Sequence, residues 1–266
     1  MSAFISASSP EGIAVLTDGA IYDATGTIRG IERKITAAKN KPFAVTSRGH
    51  HNIGKQFADI LCTAVDFSGS VDMLLEHLPE VLEGLKAKAA SYGRELQEHE
   101  VNQFLIACWS ETRGPLHMAF ETAQTPYNIT DAPFTIKELG PVQIAGTGIS
   151  TDDIRAHGLR VKRPDETVFA YLRETGAEYM EIMRNVAGVI NWRGDGQRLR
   201  HCIGGRCDLT LVSAAGVTTE TLRVWDDKIG RDIKPKAAPK TVVTFPGMNR
   251  QQRRAAEREN KMALAQ

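Results

Sequence analysis

Residues 2–18 read SAFISASSPEGIAVLTD, and this stretch decides how the rest of the chain is interpreted. Two apolar runs, at 3–7 and 12–17, are separated by a segment rich in Ser, Pro and Gly. That pattern is typical of two antiparallel strands joined by a turn. The second residue of the chain therefore stands at the start of a strand, and the next strand ends at Asp18.

Further strands and then helices follow this opening hairpin. The runs at 21–26, 35–38 and 42–46 extend the β structure through the first fifty residues. From 51 to 66 the apolar residues recur at helical spacing, and a second leucine-rich stripe predicts one helix over about 71–90. A Gly-Ser break at 69–70 separates the two helices.

The second half of the chain repeats this alternation of strands and helices. The pattern predicts strands at 102–109, 116–120, 133–138, 141–146, 207–212 and 220–225, and a long helix at 166–185 after a shorter one that opens at 152–153. Runs of strands separated by helix pairs predict an α+β domain. We expect a four-layer αββα sandwich, in which two antiparallel sheets are flanked by helices.

The composition is that of an ordinary globular domain. The chain has 266 residues, a formal net charge of +1, 42% hydrophobic residues and 24% charged residues. This balance gives no general attraction to nucleic acid or membrane, and no apolar run approaches the ~20 residues that span a bilayer. The N-terminus has no signal-peptide pattern, so we expect a cytoplasmic protein without membrane partners.

The four cysteines do not form a metal motif. Cys62, Cys108, Cys202 and Cys207 include no Cys-x-x-Cys pair, although His201 adjoins Cys202. A structural zinc site needs about four ligands at suitable spacing. Reduced thiols and no metal or other cofactor are therefore expected.

The C-terminal segment differs in composition from the rest. Residues 232–266 contain eight Lys/Arg against three Asp/Glu, and the linker at 234–240 is rich in Pro and Lys. We therefore divide the chain into a domain at 1–231 and a basic, flexible tail at 232–266. The tail is either solvated or a docking segment for an acidic partner or nucleic acid.

Ser2 is the candidate nucleophile. A Met-Ser start favours removal of Met1, which leaves Ser2 with both a hydroxyl and a free α-amine. An α-amine with a pKa of about 8 is partly neutral at pH 7. It can take the hydroxyl proton directly or through a water molecule, so one residue acts as nucleophile and base.

Asp18 and Lys34 are the candidate partners of Ser2. A buried Lys near the nucleophile lowers the pKa of the hydroxyl and of the amine, and such a Lys requires a carboxylate partner. Asp18 ends a predicted strand sixteen residues after Ser2, and Lys34 begins a later strand thirty-two residues after it.

These residues resemble the proteasome β-subunit superfamily, including its HslV-type and Anbu-type bacterial members. The family places a Thr or Ser at the mature N-terminus, an Asp sixteen residues later and a Lys thirty-two residues later. The segment VLTDG at 15–19 is similar to the end of a family strand, and RKI at 33–35 is similar to the start of a later family strand. The resemblance implies an N-terminal-nucleophile (Ntn) hydrolase fold over roughly 2–225.

The resemblance also implies an oxyanion hole and a contact for the amine. VTSRG at 45–49 resembles the loop before the first helix, so a backbone N–H of Ser47, Arg48 or Gly49 would bind the oxyanion; we assign Gly49. FLIACW at 104–109, AGTG at 145–148 and GGRCDLTL at 204–211 resemble later family segments. Thr147 would then contact the N-terminal amine.

Two residues depart from the family pattern. The family places an Asp and a Ser before the late Gly-Gly, where this chain has Arg200 and Ile203, with Asp195 a few residues earlier. Neither side chain can stabilise a cationic amine, because Arg is itself a cation and Ile cannot form a hydrogen bond. His50 and His51, after the candidate oxyanion loop, either line a substrate pocket or lie on the helix surface.

The resemblance implies two alternative functions. The first is a peptidase or amidohydrolase that cleaves a peptide or amide substrate through an acyl-Ser2 intermediate, without a cofactor, and that self-assembles into a homo-oligomer. The second is a catalytically silent structural or assembly protein of the same fold. The basic tail is weakly similar to C-termini of phage-encoded proteins, which makes a virion-associated role part of the second alternative.

Overall fold

A computed structural model of the chain describes residues 2–91, 101–124, 129–147, 149, 153–154, 157–190 and 198–235. Its elements, in chain order, are β1 (Phe4–Ser9), β2 (Gly12–Asp18), β3 (Ala20–Tyr22), β4 (Ile28–Ile31), β5 (Ile35–Ala37), β6 (Phe43–Arg48), α1 (His51–Phe67), α2 (Val71–Glu76), α3 (Leu78–Ser91), β7 (Gln103–Ser110), β8 (Gly114–Glu121), β9 (Lys137–Glu138), β10 (Val142–Ala145), α4 (Val168–Arg184), β11 (Gly188–Ile190), β12 (Arg198–Arg200), β13 (Arg206–Ser213) and β14 (Gly216–Val224).

The first large sheet is built around the opening hairpin. Its strand order is β10-β1-β2-β13-β14, and the neighbouring strands are antiparallel. All seven residues of β2 are buried. A strand covered on both faces is apolar along its whole length, which explains why IAVL at 13–16 does not alternate with polar residues.

The second large sheet has the order β5-β6-β7-β8-β9, again antiparallel. Its centre is β7, whose run FLIAC at 104–108 is buried throughout. The turn at Gly114 joins β7 to β8 with a positive φ of 76°, a conformation that favours glycine.

Three helices pack on one face of the second sheet. The buried residues of α1 include Ile53, Phe57 and Leu61, which are spaced four apart and face the sheet. The single helix expected over 71–90 is instead two helices, α2 and α3, which meet at His77. Pro79 explains the break, because it has no N–H to donate to the preceding turn and is tolerated in the first turn of a helix.

The buried apolar residues form clusters on either side of both large sheets. One cluster joins the sheets to each other and includes Phe4 and Val15 from the first sheet and Leu105 from the second. A second cluster joins α1, α2 and α3 to the outer face of the second sheet. A third joins α4 to the outer face of the first sheet, where Met180 packs near Leu209.

A polar contact also crosses between the two sheets. Ser6 Oγ lies 3.0 Å from His117 Nδ1, and His117 Nε2 lies 2.5 Å from the Gly140 carbonyl oxygen. Because a carbonyl only accepts, Nε2 carries the proton and Nδ1 accepts from the Ser6 hydroxyl. Burial lowers the pKa of His117, while its bond to Gly140 opposes that shift.

The strand expected at 21–26 is observed in part as β3, whereas its partner β4 and the ribbon of β11 and β12 were not expected from the sequence. β3 and β4 pair with each other, and so do β11 and β12. Each contains only three or four residues. Such segments are too short to give a periodic apolar pattern.

The domain boundary expected after residue 231 is too early. Ile233 is 4% exposed and packs with Ala20 and Ile28. Asp232 forms a β-bridge with Thr27. The folded body therefore extends at least to Ile233, and the expected tail beyond residue 235 lies outside the described residues.

The class expected from the sequence, α+β, is confirmed by this arrangement of helices and antiparallel sheets. Across the ranges that the structure describes, no helix has the length and apolar character needed to cross a membrane.

Candidate active site

Ser2 lies beside Asp18 because the opening hairpin brings them to the same end of the first sheet. β1 and β2 pair with Phe4 opposite Thr17. One step beyond that pair, Ala3 N–H donates to Asp18 Oδ1 at 3.0 Å, and Asp18 N–H donates to the Ala3 carbonyl at 3.4 Å. The residue next to Ser2 thus binds both the backbone and the carboxylate of Asp18.

Lys34 reaches this point from the start of the second sheet. Its Nζ lies 2.9 Å from Ser2 Oγ and 2.9 Å from Asp18 Oδ2. The Lys34 side chain is 6% exposed and that of Asp18 is 0% exposed. The backbone of Lys34 is held as well, because its carbonyl accepts the Thr46 hydroxyl at 2.8 Å. Lys34 is therefore in direct contact with both Ser2 and Asp18.

The carboxylate of Asp18 is surrounded by donors. Besides Lys34, it accepts from Ala3 N–H, from Ala20 N–H at 3.3 Å and from Gly204 N–H at 3.4 Å. Buried charges need this kind of compensation. The carboxylate fixes the position of the ammonium group, which leaves the ammonium directed at the Ser2 hydroxyl.

The loop that carries Gly49 leads into α1. Gly49 has a φ of +127°, and a Cβ there would lie 2.2 Å from Asn102 Oδ1. Asn102 Oδ1 accepts from His50 N–H at 2.6 Å, and Asn102 Nδ2 donates to the His50 carbonyl at 3.1 Å. Only glycine fits this conformation and approach.

Asn102 is a functional candidate that the sequence interpretation missed. It stands immediately before β7, is 1% exposed, and its backbone N–H donates to Thr122 Oγ1 at 3.0 Å. A buried Asn at a strand start was the available signal, since such residues commonly bond to loop backbone. Asn102 binds the N–H of His50, the residue after Gly49. The assignment of the oxyanion hole to the Gly49 N–H stays a prediction.

The other two oxyanion candidates belong to β6. Ser47 and Arg48 pair with Phe104 and Gln103 of β7. The Arg48 guanidinium donates to Gln103 Oε1 at 2.8 Å, and burial lowers the pKa of Arg48 to about 10. Arg48 therefore remains a cation at neutral pH.

Thr147 lies next to the nucleophile strand, but its hydroxyl proton is engaged elsewhere. β10 pairs with β1, with Ala145 opposite Phe4, and a Cβ on Gly146 would lie 2.8 Å from Ala3 Cβ. Continuing this register brings Thr147 level with Ser2. Thr147 Oγ1 donates to the Met183 carbonyl at 2.7 Å, so its contact with the N-terminal amine stays a prediction that requires the oxygen as acceptor.

The two departures from the family pattern do not reach Asp18 through their side chains. Ile203 is 1% exposed and packs in the apolar cluster beneath α4. Arg200 Nη1 donates to the Leu199 carbonyl at 3.3 Å. Gly204 makes the contact with Asp18 through its backbone N–H, and Asp195 lies outside the described residues.

His51 contacts the Glu32–Lys55 ion pair. Its Nε2 contacts Glu32 Oε1, and Lys55 Nζ lies 3.4 Å from Glu32 Oε2. Burial is the largest influence on the pKa of His51 and lowers it, Lys34 and Lys55 lower it further, and Glu32 opposes them. His51 is therefore mainly neutral at pH 7.

The cysteines are buried thiols. Burial raises the pKa of Cys202, and the nearby Asp18 carboxylate adds to the rise while Lys34 opposes it. Burial likewise raises the pKa of Cys62 and of Cys108 to about 12. No group of three or more His, Cys, Asp or Glu side chains with metal-binding geometry occurs among the residues that the structure describes.

Comparison of the sequence with protein-family models and with curated proteins gives no match.

Proposed function

We propose that this protein is an Ntn hydrolase of the proteasome-like kind, with Ser2 as its nucleophile after removal of Met1. Its two five-stranded sheets are proposed to be the inner layers of the αββα sandwich. The support is that the sheets share one apolar cluster, and that α1, α2 and α3 pack on the outer face of the second sheet and α4 on that of the first. Ser2 lies at the end of a strand of the first sheet.

The single observation that carries this proposal is the position of the Lys34 ammonium group. Its Nζ lies 2.9 Å both from Ser2 Oγ and from Asp18 Oδ2. The Lys34 side chain is only 6% exposed, so these two contacts, and not water, surround its ammonium group. The cation stabilises negative charge that develops on the Ser2 oxygen.

The first step is acyl transfer to Ser2. The α-amine of Ser2 takes the hydroxyl proton, directly or through a water molecule, while Oγ attacks the carbonyl carbon of an amide. Collapse of the tetrahedral intermediate breaks the C–N bond, and the proton passes from the α-ammonium group to the leaving amine. The product is a Ser2 ester and a free amine.

The second step is hydrolysis of that ester. Water gives a proton to the α-amine and attacks the ester carbonyl, and the C–O bond to Ser2 breaks. The proton returns to Ser2 Oγ, and a carboxylic acid leaves. No cofactor takes part in this sequence. The proposed substrate class is therefore peptides or other amides.

The test uses the mature protein and a covalent probe. Intact-mass spectrometry should show a chain that begins at Ser2, and a β-lactone should add one acyl group to it. S2A should abolish labelling without loss of folding, S2T should keep part of it, and S8A should label like the wild type. Ser8 is a matched control because it lies half-buried further along the same strand. Labelling of S2A at the wild-type rate would exclude Ser2 as the nucleophile.

The alternative is a catalytically silent scaffold, and one observation favours it. The family pattern has a polar residue where Ile203 is buried in an apolar cluster, so one expected support for the N-terminal amine is missing. This structural or assembly role, in a virion or elsewhere, would hold if the processed protein neither labels with β-lactones nor cleaves a broad panel of fluorogenic peptides. Light scattering of the same sample would test self-assembly.

A further inference from the structure

A buried ion pair stands behind the Gly204 segment. Arg184, the last residue of α4, donates from Nη2 to Asp227 Oδ1 at 2.6 Å and from Nη1 to Asp227 Oδ2 at 2.7 Å. Both side chains are 4% exposed. The guanidinium carbon also lies 5.1 Å from the centre of the Trp225 ring. This two-bond geometry fixes the orientation of both groups.

The ion pair also holds the backbone on both sides of Gly204. Arg184 Nη1 donates to the Ile203 carbonyl at 2.8 Å, and Gly205 N–H donates to Asp227 Oδ2 at 2.7 Å. A Cβ on Gly204 would lie 2.4 Å from Asp227 Oδ2 and 2.5 Å from Arg184 Nη1. The Gly204 backbone therefore rests directly on the ion pair, and no larger residue fits there.

The Gly204 backbone in turn holds the candidate catalytic carboxylate. Gly204 N–H donates to Asp18 Oδ2 at 3.4 Å, and the Gly204 carbonyl accepts from Gly19 N–H at 2.9 Å. Asp18 Oδ2 is the same oxygen that binds Lys34. A continuous series of contacts thus runs from the ion pair to the ammonium group beside Ser2.

We infer that the Arg184–Asp227 ion pair positions Asp18, and through it Lys34, for the chemistry at Ser2. The two residues are positioning residues, because their contacts act through Gly204 and not on the reacting atoms. This inference rests on the proposed function. The ion pair uses only the backbone carbonyl of Ile203, and the side chain of that residue packs in the apolar cluster beneath α4.

If the ion pair only stabilised the fold, its replacement would have a different effect on the reaction rate. Replacing a buried ion pair by apolar residues of similar volume is often neutral for stability or increases it. If stability were the only role, the double variant R184M/D227L would keep the wild-type reaction rate. If the ion pair positions Asp18, the double variant folds but reacts slowly.

The experiment compares full-length wild type, R184M/D227L and R173Q. Arg173 pairs with Glu220 between α4 and β14 at 2.5 Å and is about half exposed, so R173Q removes an ion pair from neighbouring elements without touching Gly204. Three quantities are measured: the melting temperature, the β-lactone labelling kinetics as kinact and KI, and hydrogen exchange at the Gly19 amide, which reports the bond to Gly204.

The double variant is expected to lose about 10- to 100-fold in kinact, with KI unchanged, and to exchange faster at Gly19. R173Q is expected to match the wild type in all three measurements. A double variant with wild-type kinact and wild-type exchange at Gly19 would overturn the inference. If it does not fold, D227N and R184K are measured in its place with the same two outcomes.

Failure of the proposed function gives a different result. If wild type does not label at all, the enzyme proposal fails, while exchange at Gly19 still decides whether the ion pair holds the Asp18 segment. If wild type never labels and R184M/D227L exchanges faster than wild type at Gly19, the ion pair holds the Asp18 segment but has no catalytic role. If the exchange rate at Gly19 is unchanged, the ion pair neither holds this segment nor contributes to catalysis.

Discussion

Replacing Lys34 by Met is the most informative single change to this protein. Met has a similar length but no charge, so K34M removes the cation that contacts Asp18 and leaves the carboxylate in place. Asp18 is 0% exposed and Lys34 is 6% exposed, so bulk water does not replace the lost contact without local opening of the structure. Both stability and labelling should therefore fall.

The loss of stability follows from the geometry of the pair. Removing one partner of a buried ion pair costs about 3–5 kcal/mol. Asp18 would retain the N–H donors of Ala3, Ala20 and Gly204, which places K34M near the lower end, at about 3 kcal/mol. At roughly 2–4 °C per kcal/mol for a chain of this size, the melting temperature should fall by about 6–12 °C.

The assay is urea unfolding at pH 7 of wild type, K34M, D18N, K34M/D18N and K86M. The double variant should be more stable than the sum of the two single changes predicts, because it leaves no unpaired buried charge. Lys86 pairs with Glu83 on the surface of α3, so K86M should change the unfolding free energy little. A loss below about 1 kcal/mol in K34M, the range of an exposed pair, would refute a buried Lys34–Asp18 contact.

Three further predictions concern other parts of the molecule. Truncation after residue 231 should destabilise the protein by about 1.5–3 kcal/mol, because it removes the buried Ile233, whereas truncation after residue 235 should leave the melting temperature unchanged. Stability should decline as the pH falls below about 6.5, because the pKa of His117 is lowered by burial and the folded state resists its protonation; H117Q should show a smaller decline between pH 7 and pH 5. N102A should cost about 1–3 kcal/mol, because it removes two hydrogen bonds to the His50 backbone, and should slow β-lactone labelling; wild-type labelling by N102A would show that the loop geometry does not depend on Asn102.

The sequence predicted those features of the site that depend on local order along the chain. Ser2, Asp18 and Lys34 lie at strand ends, and the alternation of strands and turns places strand ends with some accuracy. Their contact was expected from the resemblance to the proteasome-like family, and it agrees with the need of a buried Lys for a carboxylate. The same local patterns predicted α1, α4 and the central strands of both large sheets.

The features that the sequence did not predict depend on contacts between distant segments or on single residues. Arg184 and Asp227 are 43 residues apart, and no periodic pattern links an Arg at a helix end to an Asp after a strand. The division of one expected helix into α2 and α3 was missed because the leucine stripe continues across Pro79. Ile233 was assigned to the tail because the tail was defined by its Lys, Arg and Pro content, which a single apolar residue does not change.

The central position of β2 has a consequence for the synthesis of this chain. β2 is buried on both faces, and its neighbour β13, which pairs Cys207 with Asp18, follows roughly 190 residues later. At 5–20 residues per second, a ribosome needs about 10–40 s to deliver that neighbour. During this interval the nascent chain carries an apolar strand with an open edge, which is the kind of segment that chaperones bind. The time before β13 emerges should therefore affect how much folded protein a cell obtains.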